Sequence, residues 1–240
     1  MKEILSVKQL SKSYSNKKVV DHVNISVKKG EIFGLLGPNG AGKSTTIECM
    51  LGIKELDSGS VSILQMNPKK DRKRLFEKVG VQFQEANYQE KLKVKELCEM
   101  TASFYKHGGE YKSLLNQFEL KQKENNFIGD LSGGEKQRLF ILLALIPNPE
   151  IVFLDELTTG LDTFARRELW KYLIQLKNNG LTIFLTSHFM DEVEVLCDRI
   201  MILKKGQTVF CGSVDQALSQ SPYEDLEEAY LWYTKQGVSL

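Results

Sequence analysis

Residues Gly37-Pro38-Asn39-Gly40-Ala41-Gly42-Lys43-Ser44 follow the spacing G-x-x-x-x-G-K-[ST], and Thr45 comes next. Glycines at that spacing let consecutive backbone N–H groups turn inward around phosphate oxygens, and a helix starting at the end of the loop adds the positive end of its dipole. Lys43 supplies a full charge for the outer phosphates, and the Ser44 hydroxyl can ligate Mg²⁺. The chemistry these types point to is binding of a nucleoside triphosphate. The flanking sequence agrees: Glu31–Leu36 reads as a buried strand, and a helix from about Lys43 to Leu51 closes at Gly52.

A second helix start carries glycines of its own, in Leu131-Ser132-Gly133-Gly134-Glu135-Lys136-Gln137-Arg138. Ser132 and Glu135 form a capping box ahead of the apolar run Leu139–Ile146, which stops at Pro147. Two glycines directly after a cap each cost roughly 0.5–1 kcal/mol of helix stability relative to Ala. They suit close approach of an anion to the helix end. From these residues alone, a well-capped buried helix and a second phosphate contact both stand open.

The elements that must hold these loops follow from periodicity. Val23, Ile25 and Val27 alternate with polar residues before Lys28-Lys29-Gly30 turns the chain, which describes a half-exposed strand. Asp57-Ser58-Gly59 is a turn before a short strand at Val61–Leu64. From about Asn87 to Phe127 the pattern is mostly helical. Ile151–Leu154, Leu181–Thr186 and Ile200–Leu203 are short apolar strands, and Phe164, Leu169, Tyr172, Leu173 and Leu176 lie at helical spacing between the first two. Buried strands alternating with helices predict a parallel-sheet α/β core. Ser221-Pro222-Tyr223-Glu224 predicts a capping box for a C-terminal helix carrying Leu226, Tyr230 and Tyr233 on one face.

Composition narrows the class. The 240 residues carry 32 Lys+Arg against 31 Asp+Glu, a net charge of +1, which argues against a general nucleic-acid binder. Lys69–Arg74 is basic, but Asp71 within it and Glu77 nearby favour a solvated loop. No apolar run approaches the ~20 residues that span a bilayer, and Met1-Lys2-Glu3 does not open a signal peptide. Cys49, Cys98, Cys197 and Cys211 form no C-x-x-C pair and read as reduced, buried thiols of the cytosol.

Together, the phosphate loop in its tighter form G-x-x-G-x-G-K-[ST]-T and the run Leu131–Arg138 resemble the nucleotide-binding domain of ABC transporters, the second motif resembling that family's signature. The resemblance extends from about Ile4 to Leu218. It implies a P-loop NTPase core with a mainly parallel sheet, an N-terminal antiparallel β-subdomain and an inserted α-helical subdomain. The expected organisation is one ATP-binding domain over 1–220, its helical subdomain at approximately 86–146, and a helical tail over 221–240.

Within that resemblance, Ile151–Glu156 is similar to a Walker B strand. Asp155 would enter the Mg²⁺ shell, and Glu156 would act as general base on the attacking water. Leu157 stands where the family usually has Pro, so a less rigid turn is expected there. Glu135 replaces a common Gln and keeps the capping function. Thr158–Asp162 resembles the D-loop, with Asp162 facing a dimer interface, capping the following helix, or both. His188, after Thr186-Ser187, resembles the switch histidine that reaches the γ-phosphate. Gln84 resembles the Q-loop glutamine, a contact to Mg²⁺ and water, with Gln82 the competing position. Tyr14 sits where the family stacks an aromatic ring on adenine, a strand-edge tyrosine being the plainer reading.

The resemblance further implies an ATPase that uses ATP and Mg²⁺ and works as a homodimer or heterodimer. Ser132, Gly133, Gly134 and Glu135 of one subunit would clamp the γ-phosphate held by Gly37–Thr45 of the other. The partners expected are integral-membrane permease subunits, contacted through the region around Ala86–Lys112, with no nucleic acid and no direct membrane insertion. The chain would sit at the cytoplasmic face of the membrane, with export favoured over import. A soluble ABC ATPase in iron–sulfur cluster assembly is the alternative.

Overall fold

The computed structural model describes residues 2–83, 88–106 and 110–235. Its first elements are strands β1 (Glu3–Tyr14), β2 (Lys17–Lys28) and β3 (Ile32–Leu36), helix α1 (Lys43–Met50), strand β4 (Ser58–Ile63) and helix α2 (Arg72–Phe76). Next come β5 (Val79–Gln82), α3 (Val94–Ser103), α4 (Tyr111–Gln117), α5 (Gly133–Leu145), β6 (Ile151–Asp155) and α6 (Thr163–Asn178). The last are β7 (Thr182–Thr186), α7 (Met190–Leu196), β8 (Arg199–Lys204), β9 (Gln207–Gly212), α8 (Val214–Ser219) and α9 (Leu226–Lys235). The chain divides into two compact units, Met1–Leu75 with Thr182–Leu240, and Phe76–Leu181.

The first unit holds an antiparallel sheet in the order β2-β1-β4. Ser15 and Asn16, with φ of 45° and 66°, make the two-residue turn joining β1 to β2, a left-handed geometry that matches the twist of a hairpin. Val23, Ile25 and Val27 are buried and their neighbours exposed, as the alternation predicts. In the same unit β3 pairs in parallel with β7 and β8, and β8 pairs antiparallel with β9. All five residues of β3 and of β7 are buried. Such unbroken burial is what a strand covered on both faces requires. The Phe33 and Phe184 rings stack at 5.6 Å inside this layer.

Three expectations in this unit change. Helix α9 begins at Leu226, not after Ser221, and Asp225 caps it by accepting from Glu228 N at 3.0 Å. The Ser221 hydroxyl is engaged elsewhere: it donates to Leu218 O at the end of α8 and accepts from Tyr223 N. The Lys69–Arg74 run is loop only in part, because Arg72 opens α2, while Lys69 pairs with Glu55. Cys49 and Cys197 are buried but Cys211 is exposed on β9. The predicted apolar face of α9 does dock, with Leu226 fully buried and Tyr233 Oη donating to Ala217 O at 3.1 Å.

In the second unit β5 and β6 run parallel, with Gln82 opposite Leu154. Helices α3, α4 and α5 lie between them in the chain. Leu139, Ile141 and Leu142 of α5 and Leu169 and Leu173 of α6 are buried, and Phe118 stacks on Tyr172 at 5.2 Å. Phe164, read with the apolar stripe of α6, is instead 76% exposed, since the buried face of that helix starts a turn later at Leu169.

Candidate functional site

The phosphate loop leaves β3 at Leu36 and delivers the chain to α1 at Lys43, in the first unit. Its tip, Pro38–Gly40, is exposed, while Gly37 and Ala41–Lys43 are buried. Ala41 N donates to Pro38 O at 3.0 Å, closing the loop on itself. Gly42 has φ +105°, and a Cβ there would lie 2.5 Å from Val19 O, so no side chain fits. No side chain caps α1 and no acidic residue stands in its first turn. The positive end of the helix dipole at this start therefore favours an outside anion.

Lys43, although only 6% exposed, places its Nζ 2.8 Å from Gly37 O, folded back along the loop. Ser44 is exposed and Thr45 half-buried at the same helix start. A cation, a glycine-rich loop backbone and an accessible hydroxyl could hold a triphosphate and a hard divalent ion.

His188 emerges beside this loop for a topological reason. Leu35 of β3 pairs with Thr186 of β7 in parallel register, so Gly37 and His188 each stand two residues beyond a matched pair, at one carboxyl edge of the sheet. His188 is exposed, its ring 4.2 Å from that of Phe189. The Ser187 hydroxyl accepts from Phe189 N at 3.0 Å and shapes the turn that presents it. Tyr14 ends β1 with 41% of its surface exposed, and the amines of Lys12 and Lys54 each stand 5.4 Å from its ring centroid.

The second unit carries the remaining residues. Asp155 ends β6 and is 5% exposed. Glu156 follows with φ +49°, a left-handed backbone uncommon outside Gly, Asn and Asp and recurrent at functional turns. Leu157, in the place of the usual Pro, buries its side chain and so anchors the turn by packing. Gln84 lies outside the described residues. Gln82 is buried on β5, its Nε2 donating to Phe83 O at 2.7 Å.

The capping box of α5 is present as read. Glu135 N donates to Ser132 Oγ at 3.2 Å, and Ser132 N donates to Glu135 Oε2 at 2.8 Å. That backbone N–H, aided by Lys123, holds the Glu135 carboxyl below the usual carboxylate range. Ser132 and Gly133 remain exposed. Asp162 caps α6, Oδ1 accepting from Ala165 N at 2.9 Å. The structure also joins two motifs that the sequence presents separately. Ser132, Gly133 and Gly134 line a cavity of about 330 Å³ together with Gly160, Leu161 and Asp162.

One contributor escaped the sequence reading. Gly206, in the β8–β9 turn, donates its N–H to Ala41 O of the phosphate loop at 3.0 Å. The available signal was Lys204-Lys205-Gly206, a turn triplet after an apolar strand.

Known proteins resemble this chain in sequence and in fold. Residues 20–159 match the family described as ABC transporter. The chain is 35% identical over 238 residues to the probable multidrug ABC transporter ATP-binding protein YbhF of Escherichia coli (strain K12), covering 95% of this chain and 41% of that one. It thus spans about two fifths of that relative's length. It is 37% identical over 231 residues to the Nod factor export ATP-binding protein I of Burkholderia pseudomallei (strain 1710b), covering 94% of this chain and 76% of that one. A solved ATP-binding subunit of an ABC transporter superposes with a TM-score of 0.87 at 30% identity, over 97% of this chain and all of that one. A nucleotide-free ATP-binding cassette superposes at 0.82 with 25% identity, over 92% of this chain and 96% of that one. The chain belongs to the ABC transporter ATP-binding family.

Proposed function

We propose that this chain binds and hydrolyses ATP with Mg²⁺ as the ATP-binding subunit of an exporter, driving transport through a separate membrane permease. The observation that carries the reading is the uncapped start of α1, where Lys43 and the buried loop backbone form a cradle for phosphate. The relatives named for multidrug and Nod factor export support export over the iron–sulfur alternative. No helix among the described residues is long and apolar enough to cross a membrane.

Gly37–Thr45 hold the phosphates, and Tyr14 offers its ring to the adenine. Ser44, Asp155 and Gln84 would hold Mg²⁺, whose charge offsets that building up on the transferring phosphoryl group. Glu156 takes the proton of the attacking water, and His188 fixes the γ-phosphate end. Ser132, Gly133, Gly134 and Glu135 act on the nucleotide of a second subunit, with Asp162 at the same interface. Two chains then make two composite sites, and ATP holds them together. The subunit works at the cytoplasmic face of the membrane, held by its permease.

Mixing tests the composite site. Lys43→Ala and Ser132→Arg chains are each inactive alone, but the mixed dimer has one intact site and regains turnover. Inactive mixtures of folded, associating chains rule the composite site out. Co-purification of a multi-span protein from solubilised membranes identifies the permease, whereas recovery with scaffold proteins of iron–sulfur assembly overturns the transport reading.

A further inference from the structure

We infer that Gly206, in the turn between β8 and β9, is a positioning residue for nucleotide binding: it fixes the shape of the phosphate loop without touching the nucleotide. The inference rests on the ATP-binding reading of Gly37–Thr45 and adds a residue outside every motif of that reading. Gly206 N donates to Ala41 O at 3.0 Å, while Gly206 O accepts from Asp21 N on β2 at 2.8 Å. One peptide turn thus joins the loop to the neighbouring sheet.

The packing around these bonds is backbone against backbone. A Cβ on Gly206 would stand 2.5 Å from Val19 O, and a Cβ on Gly42 would stand 2.5 Å from the same oxygen. Gly42 of the loop and Gly206 of the turn therefore close on one β2 carbonyl from two directions. Within β8, ahead of the turn, Leu203 O lies 2.5 Å from where a Cβ of Gly37 would be. Gly37, Ala41 and Gly42 are thus backed by β8, the β8–β9 turn and β2 respectively, and the tip Pro38–Gly40 stays exposed. The Gln207 side chain adds a tie, Nε2 donating to Asp21 Oδ2 at 2.9 Å. A loop of N–H donors fixed before binding loses less entropy on binding than one that must be ordered by the ligand.

Backbone at Gly206 (φ +81°) cannot yield to a methyl group without moving Val19 or the turn, and moving the turn drags Ala41. Gly30 supplies the control: its φ is +79°, but nothing lies within 4 Å of its Cβ position. Gly206→Ala and Gly30→Ala carry the same left-handed strain, and only the first carries the clash.

The test measures the Kd of a fluorescent ATP analogue and of MgATP, the KM and kcat of hydrolysis, and thermal unfolding for wild type and both variants. The expected result is a Kd and KM raised about tenfold or more in Gly206→Ala, with kcat within about twofold and Gly30→Ala near wild type. A Gly206→Ala Kd equal to that of Gly30→Ala overturns the inference, as does a loss confined to kcat or to the folded fraction. If Gly206→Ala does not fold, Gln207→Leu decides, since it keeps every backbone bond: a Kd raised about threefold supports the positioning role and a wild-type Kd overturns it. Failure of the wild type itself to bind ATP brings down the ATP reading and this inference with it, an outcome distinct from either variant result.

Discussion

Lys43 and Gly37 are joined across the phosphate loop, the lysine Nζ donating to the glycine carbonyl at 2.8 Å from the first turn of α1. The bond spans the loop from its last residues to its first, and it parks a charge where phosphate is expected. An incoming phosphate offers that amine an anionic acceptor, and charge-assisted bonds are the stronger kind.

Lys43→Ala is expected to weaken MgATP binding by about 2–3 kcal/mol, roughly 30- to 150-fold in Kd, the worth of a hydrogen bond to a charged group. Isothermal titration of the purified chain measures it. An unchanged Kd would remove Lys43 from the phosphate site. The fold should survive, because the loop keeps its backbone bonds from Ala41 N to Pro38 O and from Gly206 N to Ala41 O.

Glu156→Gln is expected to retain ATP affinity while turnover falls about 100- to 10,000-fold, the contribution of a general base. Gln keeps the volume and polarity of the side chain at a position whose φ is +49°, so the turn is preserved. Steady-state phosphate release reads the turnover. Size exclusion with ATP reads the second consequence, a dimer that persists because hydrolysis no longer releases it. Wild-type turnover would exclude Glu156 as the base.

The sequence made some features plain and hid others, for physical reasons. The phosphate loop, the Ser132–Glu135 box and the Asp162 cap depend on residue types acting within a few positions, and all three are present as local structure. Strands β3 and β7 were legible because burial on both faces leaves an unbroken apolar run. Strand β9 was not, since only Phe210 and Gly212 of its six residues are buried. Most of β1 escaped as well, because its register shifts against β2 between Val7 and Leu10 and again beyond, which breaks the two-residue alternation. Phe164 looked like core from its spacing, and only the packing of α6 reveals that it faces out. Gly206 was invisible as a loop support because its partners, Asp21 and Ala41, stand near the opposite end of the chain.

Ser132 carries two separable duties. Ser132→Ala removes the cap of α5 and is expected to cost about 1 kcal/mol of stability, seen as an earlier denaturant midpoint. Ser132→Thr should restore most of that loss. Ser132→Arg places a long cation against the cavity that Ser132 lines with Gly160 and Asp162. It is expected to leave ATP binding by the single chain intact and to abolish hydrolysis. Should Ala and Arg lower turnover only in proportion to stability, the serine is a cap and nothing more.

Asp21 gives a pH dependence whose sign can be worked out. Lys18 Nζ at 2.8 Å, Gln207 at 2.9 Å and His22 Nδ1 at 2.7 Å surround its carboxylate and lower its pKa to about 2, Lys18 acting most strongly. A folded-state value below the ordinary carboxylate value means that the unfolded chain takes up the proton first as pH falls. The stability that Asp21 contributes is therefore complete above about pH 4 and is lost between there and about pH 2. Asp21→Asn removes the titrating charge and leaves the backbone N–H at that position available to Gly206 O. The stability gap between wild type and this variant should be constant at neutral pH and close as the solution is taken from about pH 4 to about pH 2. Urea unfolding at a series of pH values measures it. A gap that persists unchanged at the acid end of that series would show that the carboxylate charge has no part in tying β2 to the β8–β9 turn.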